Sequence, residues 1–104
     1  MTDSLLEKAR PHSQWLARQL DHRRLDLAWL DDWLPRPLAP EDFAGFADWQ
    51  RILSDEDEAE LARQLRLLRR HVMAHIMTRD LCRLSDLAEV TRTITELADF
   101  AANT

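Results

Sequence analysis

One glycine, one cysteine and no tyrosine occur in the 104 residues of this chain. A single glycine excludes a Gly-rich loop of the kind that brings several backbone N–H groups against a phosphate. A single cysteine, Cys82, excludes an internal disulfide and fits a reducing compartment. Valine and isoleucine are sparse, so little in the composition favours strands. No apolar run approaches the roughly 20 residues needed to span a bilayer. The first ten residues, MTDSLLEKAR, lack the basic start and apolar stretch of a secretory signal. These absences predict an all-α, cytoplasmic protein with no membrane segment.

What is present supports a packed core. Hydrophobic residues make up 45% of the chain, too many for a disordered one. The length predicts a single segment over 1–104, with short helices in 1–34, a Pro-rich linker at 35–40, and a helix plus a long hairpin in 41–104. The net charge of −5 is unevenly spread. Residues 1–60 carry seven basic against fourteen acidic side chains, 61–83 carry six arginines against Asp80, and 84–104 carry Arg92 against four acids. A basic stretch between acidic ones predicts internal pairing. The acidic remainder would repel phosphate, which argues against nucleic-acid binding.

The longest uninterrupted helical pattern runs over about 55–82. Leu61, Leu65, Leu68, Val72 and Ile76 recur at spacings of three and four and so line one face. Ser54, followed by four acids, predicts the N-cap. A second helix over about 87–101 follows a short turn, with Asp86 and Glu89 spaced as a capping box. The two predict an antiparallel hairpin, against which the shorter helices pack as a bundle. Upstream, the pattern predicts helices over 5–10 with Ser4 as cap, over 11–22 starting at Pro11, over 25–34, and over about 40–53 with Gly45 inside.

Candidate chemistry is thin. His71 and His75 lie one turn apart, a spacing that can chelate metal. Val72 stands where a zinc-protease motif has glutamate, and no further ligand is indicated, so a hydrogen-bonded or solvent-facing pair is expected. Cys82 has no base set beside it and reads as a buried, inert thiol. The four tryptophans fall in the first half of the chain and read as packing residues. No serine-nucleophile motif or catalytic carboxylate pair is evident, so no catalytic, cofactor-binding or metal residue is expected. Arg79 falls in line with the apolar stripe, where an arginine must pair with a carboxylate or reach beyond the core. Asp80, Asp86 and Glu89 are the nearby carboxylates. Met73 and Met77 lie well round from the stripe and predict a docking face, through which the chain would self-associate as a twofold dimer.

The run Leu65-Arg66, Arg69-Arg70, Met73, Ile76, Arg79-Asp80-Leu81, Leu84, Asp86-Leu87, Glu89, Thr91, with Leu97-Ala98-Asp99 beyond it, resembles the N-terminal region of the bifunctional glutamine-synthetase adenylyltransferase family, also called glutamate-ammonia-ligase adenylyltransferase. Pro11 to Trp15-Leu16 is similar to that family's Pro-x-Trp-Leu segment. His75 stands where the family commonly has arginine. The resemblance implies a parent enzyme with two nucleotidyltransferase domains, one adding AMP to glutamine synthetase and one removing it. It implies Mg and ATP for the parent and none for this segment, with glutamine synthetase, the PII signalling protein and the remaining domains as partners. The family's catalytic motifs lie downstream, so none of its catalytic residues maps here, and the chain is expected to be a non-catalytic lead-in. Two rival readings are a free-standing helical interaction module and a small nucleic-acid-binding protein. A Gly-rich strand and an Asp-x-Asp motif after Thr104 would favour the lead-in, a natural stop codon there the interaction module, and salt-sensitive DNA binding the nucleic-acid-binding protein.

Overall fold

Side-chain caps set where most of the helices begin. The computed structural model describes residues 5–23 and 25–102, so Ser4 lies outside the described residues. Within them are seven α-helices: α1 (Leu5–Ala9), α2 (Gln14–Asp21), α3 (Leu27–Trp33), α4 (Pro40–Ala44), α5 (Trp49–Ser54), α6 (Glu58–Leu81) and α7 (Leu87–Ala102). Ser13, Asp26, Asp48, Asp57 and Asp86 each accept a hydrogen bond from the backbone N–H three residues on, at 2.8–3.2 Å. Each bond satisfies one N–H that a helix start would otherwise leave without a partner. At α4 the device differs: Pro40 supplies the first helical residue, and the Asp42 carboxylate reaches back to the Ala39 N–H at 2.8 Å.

These caps correct four expected boundaries. The helix after Pro11 begins at Gln14, because Ser13 is the better cap and Arg10–His12 forms a 3-10 turn. The third helix starts after Asp26 for the same reason, leaving Leu25 outside it but buried. The expected helix over 40–53 is two helices. Gly45 ends the first, and Asp48 opens the second. Gly45 has φ −82°, open to any residue, and no neighbour occupies the space beside it beyond its own helix's carbonyls. The Trp49 indole N–H ties the two pieces together by donating to the Phe43 carbonyl at 2.9 Å. Ser54 is the last residue of α5 and not the cap of α6. The chain turns at Asp55 and Glu56, and Asp57 takes the capping role.

The long helix separates two apolar clusters. On one side Trp33, Leu38, Phe43, Trp49 and Ile52 pack on Leu68, Val72 and Ile76, with Phe100 of α7 against the Phe43 and Trp49 rings. On the other, Leu6, Leu16, Leu30 and Leu34 pack around Ala74. The Pro-rich stretch between α3 and α4 is held in place. Leu38 is buried, and Arg36 grips Asp42 through two bonds of 2.8 Å. This contact also holds the Asp42 carboxyl below the usual carboxylate range.

The hairpin closes through a Schellman turn. The Leu84 N–H bonds the Arg79 carbonyl at 2.8 Å and the Arg83 N–H bonds that of Asp80 at 3.1 Å. Arg83 carries the left-handed φ of 59° that glycine usually supplies. α7 then runs back along α6, with Glu89 beside Arg79 and Ala101 beside Leu65, which makes the pair antiparallel. Among the described residues, no helix is long and apolar enough to cross a membrane.

Candidate functional site

Three of the four buried polar side chains of α6 reach α3 or the residues flanking it. His71, His75 and Arg79 are spaced by four, so they stack on one face of the helix, and all three are buried. The His71 Nε2 accepts the Asp26 backbone N–H at 2.8 Å, and its Nδ1 donates to the Leu67 carbonyl at 2.8 Å. A ring nitrogen that accepts an amide N–H must carry a free lone pair, so His71 is neutral with its proton on Nδ1. The His75 Nε2 lies 3.0 Å from both the Trp33 and Arg36 carbonyls, so it carries the proton. Its Nδ1 is buried with no hydrogen-bond partner, as is the nearby Thr78 hydroxyl. Burial is the leading cause that pushes both histidines below their usual pKa.

Arg79 completes the series. Its Nη1 donates to the Leu34 carbonyl at 2.8 Å and its Nη2 to the Leu84 carbonyl at 2.9 Å. Nε and Nη2 also meet the two Glu89 oxygens, at 2.8 and 3.0 Å. Arg79 as a whole is only 5% exposed. The carbonyls at the end of α3 would lack partners within their own helix, and His75 and Arg79 supply them. Thus α6 holds both ends of α3: His71 the first, His75 and Arg79 the last.

Of the residues singled out from the sequence, Arg79 and Glu89 come together, while Asp80 and Asp86 stay exposed and apart from that pair. Asp86 caps α7, but Glu89 does not close the expected capping box, because its carboxylate is turned to Arg79. The histidine pair is buried, neither member facing solvent, because its partners arrive from α3 and the segment after it. Cys82 is half-buried, with its sulfur 3.7 Å from the Leu5 carbonyl. Sequence reasoning missed Asp26, Trp33 and Leu34 as partners; they lie 42 to 45 residues from the side chains they meet.

Met73 and Met77 are half-buried on the opposite flank of α6. Met73 floors a groove of about 550 Å³ between α6 and α7, together with Leu65, Ile94 and Leu97. A second depression of about 450 Å³ continues past Met77 to Trp15 of α2. Arg66 and Arg69 border both, and Arg70 the second. Among the described residues, no group of three His, Cys, Asp or Glu side chains is placed to hold a metal ion. The buried histidines are thus engaged by backbone groups, and Arg79 by two carbonyls and the Glu89 carboxylate.

A profile of the family described as glutamate-ammonia ligase adenylyltransferase matches residues 4–103. A protein of Neisseria meningitidis serogroup A, named bifunctional glutamine synthetase adenylyltransferase/adenylyl-removing enzyme, is 54% identical over all 104 residues. Proteins of the same name from Chromobacterium violaceum and Nitrosomonas europaea are 40% and 41% identical over 96% and 92% of this chain. The chain spans 12% of the length of the Neisseria protein and 11% and 10% of the other two. No solved structure matches it.

Proposed function

Because the chain belongs to the glutamate-ammonia ligase adenylyltransferase family, we propose that it is the non-catalytic helical lead-in of an enzyme that adenylylates and deadenylylates glutamine synthetase. The observation that carries the reading is an end-to-end match that occupies only 12% of a relative's length. The bulk of such a protein, with its nucleotidyltransferase domains, is left for the chemistry. The residues present here do not suit that chemistry. Gly45 is the sole glycine, so there is no Gly-rich loop to cradle a phosphate. The one Asp-x-Asp triplet, Asp55-Glu56-Asp57, lies on the exposed turn before α6. Asp55 faces Arg51 at 3.5 Å, and Asp57 caps the helix. Neither the donor set nor the single glycine fits Mg or ATP, which belong with the remaining domains. The partners on this reading are those domains, glutamine synthetase and the PII signalling protein, in the cytoplasm.

The test is an AMP-release assay with adenylylated glutamine synthetase, PII, phosphate and Mg. The 104-residue chain is expected to give no release above a protein-free control. Measurable turnover would overturn the scaffold reading.

A further inference from the structure

Among the described residues, three arginines on the outer flank of α6 have no carboxylate within 4.0 Å. Arg10, Arg36, Arg51, Arg63, Arg79 and Arg92 each have an Asp or Glu oxygen within 4.0 Å. Arg66, Arg69 and Arg70 have none among the described residues. The positions three and four away from them hold Ala62, Arg63, Leu65, Arg66, Leu67, Arg69, Arg70, Val72, Met73 and Ala74, none of them acidic. Arg66 sits one turn from both Arg69 and Arg70, so like charges repel along this face. Their side chains border a trough whose floor is apolar. Its two depressions share Arg66, Arg69 and Met73, so they form one continuous feature from Leu65 to Met77 on α6. Twelve residues of helix advance about 18 Å, three to four turns of a partner helix. Ile94 stands 47% exposed at its edge.

We propose that this trough docks an acidic amphipathic helix of a partner protein. Apolar residues of the partner, at spacings of three and four, would lie on Met73, Leu97 and Ile94, and its flanking glutamates or aspartates would meet Arg66, Arg69 and Arg70. The charge on the rim decides among occupants. A second copy seated by a twofold axis brings the same arginine rim against itself, which costs and does not gain. A nucleic acid would satisfy the arginines and leave the apolar floor unfilled. An acidic helix answers both the rim and the floor. Methionines suit the role because they adapt to an incoming surface. The inference rests on the scaffold reading above and names the partner chemistry of that scaffold.

The experiment uses the 104-residue chain and fluorescence anisotropy of a labelled synthetic helix of about twelve residues, with leucines on one face and glutamates flanking them. A lysine-for-glutamate version, a serine-for-leucine version and a DNA duplex serve as alternative probes. The glutamate–leucine peptide is expected to bind, and more weakly as salt rises. The lysine and serine versions are expected not to bind. Arg66→Glu with Arg69→Glu, and separately Ile94→Ser, are expected to weaken binding roughly tenfold or more. Arg83→Glu, at the hairpin turn, should leave it unchanged. Unaltered helical circular dichroism confirms that each variant is folded. Equal binding of the lysine peptide, tighter binding of DNA, indifference to the Arg66/Arg69 change, or a groove already filled by dimerisation in sedimentation equilibrium would overturn the proposal. Failure here with no AMP release removes the docking site and leaves the scaffold reading standing. AMP release removes that reading itself.

Discussion

Arg79 on α6 and Glu89 on α7 meet at two points, Nε to Oε2 at 2.8 Å and Nη2 to Oε1 at 3.0 Å, at the closed end of the hairpin. Their side chains are 6% and 14% exposed, so the pair is largely removed from water. Its strength lies in completeness: the same guanidinium also satisfies the Leu34 and Leu84 carbonyls.

Truncating that arginine should therefore be costly. Arg79→Met leaves Glu89 and two carbonyls buried without their partner, a loss of about 3–5 kcal/mol. Arg63→Met removes a pair to Glu60 on an exposed turn, where the loss should be about 0–1 kcal/mol. Urea midpoints of the two variants measure the difference. Equal midpoints would show that Arg79 contributes no more than a surface residue.

The buried histidines predict a pH dependence of definite sign. Both have folded pKa values below their usual one, with burial the leading cause. The unfolded chain therefore takes up protons first, at about pH 6.5. Between that pH and the lower folded values it binds more protons than the native chain, so stability rises with pH across this window and falls on acidification through it. Urea unfolding from about pH 7.5 down to about 5 should show a declining midpoint beginning near 6.5, above the range in which carboxylates titrate. A midpoint that stays level until carboxylates protonate would contradict the neutral assignments of His71 and His75.

A gain of stability is expected at the hairpin turn. Arg83 holds a left-handed φ of 59°, is exposed, and directly follows Cys82, the C-cap of the longest helix. A side chain in that conformation crowds its own backbone, whereas glycine adopts it freely. Arg83→Gly should stabilise by about 0.5–1 kcal/mol after allowing for the greater freedom of glycine in the unfolded chain. Thermal unfolding decides it, and a lower melting temperature would mean that the Arg83 side chain makes a contribution of its own.

The hairpin was legible in the sequence because its signals are local. Leucines at spacings of three and four mark the buried face of α6, and Asp86 three residues before Glu89 marks the start of α7. Arg79 stood out because it interrupts an apolar stripe, and Met73 and Met77 because they leave it. Boundaries were harder where several caps compete. In Ser54-Asp55-Glu56-Asp57, every residue but Glu56 is a good cap, and burial of Ile52 on α5 decides the outcome by keeping Ser54 in the preceding helix. The roles of His71 and His75 were not legible. Their partners are backbone groups of a distant helix, and a backbone N–H or carbonyl looks the same at every position of a sequence.

The hold of α6 on both ends of α3 has a consequence for hydrogen exchange. Seven residues are far too few for a helix to persist alone in water, and short helices ordinarily fray from their ends. In α3 the first turn is tethered by His71 and the last by His75 and Arg79. Neither end is free to open while those side chains stay in place. The amides of α3 should therefore exchange together, at a rate set by separation from the long helix, so that a two-turn segment reports on the cooperativity of the whole bundle.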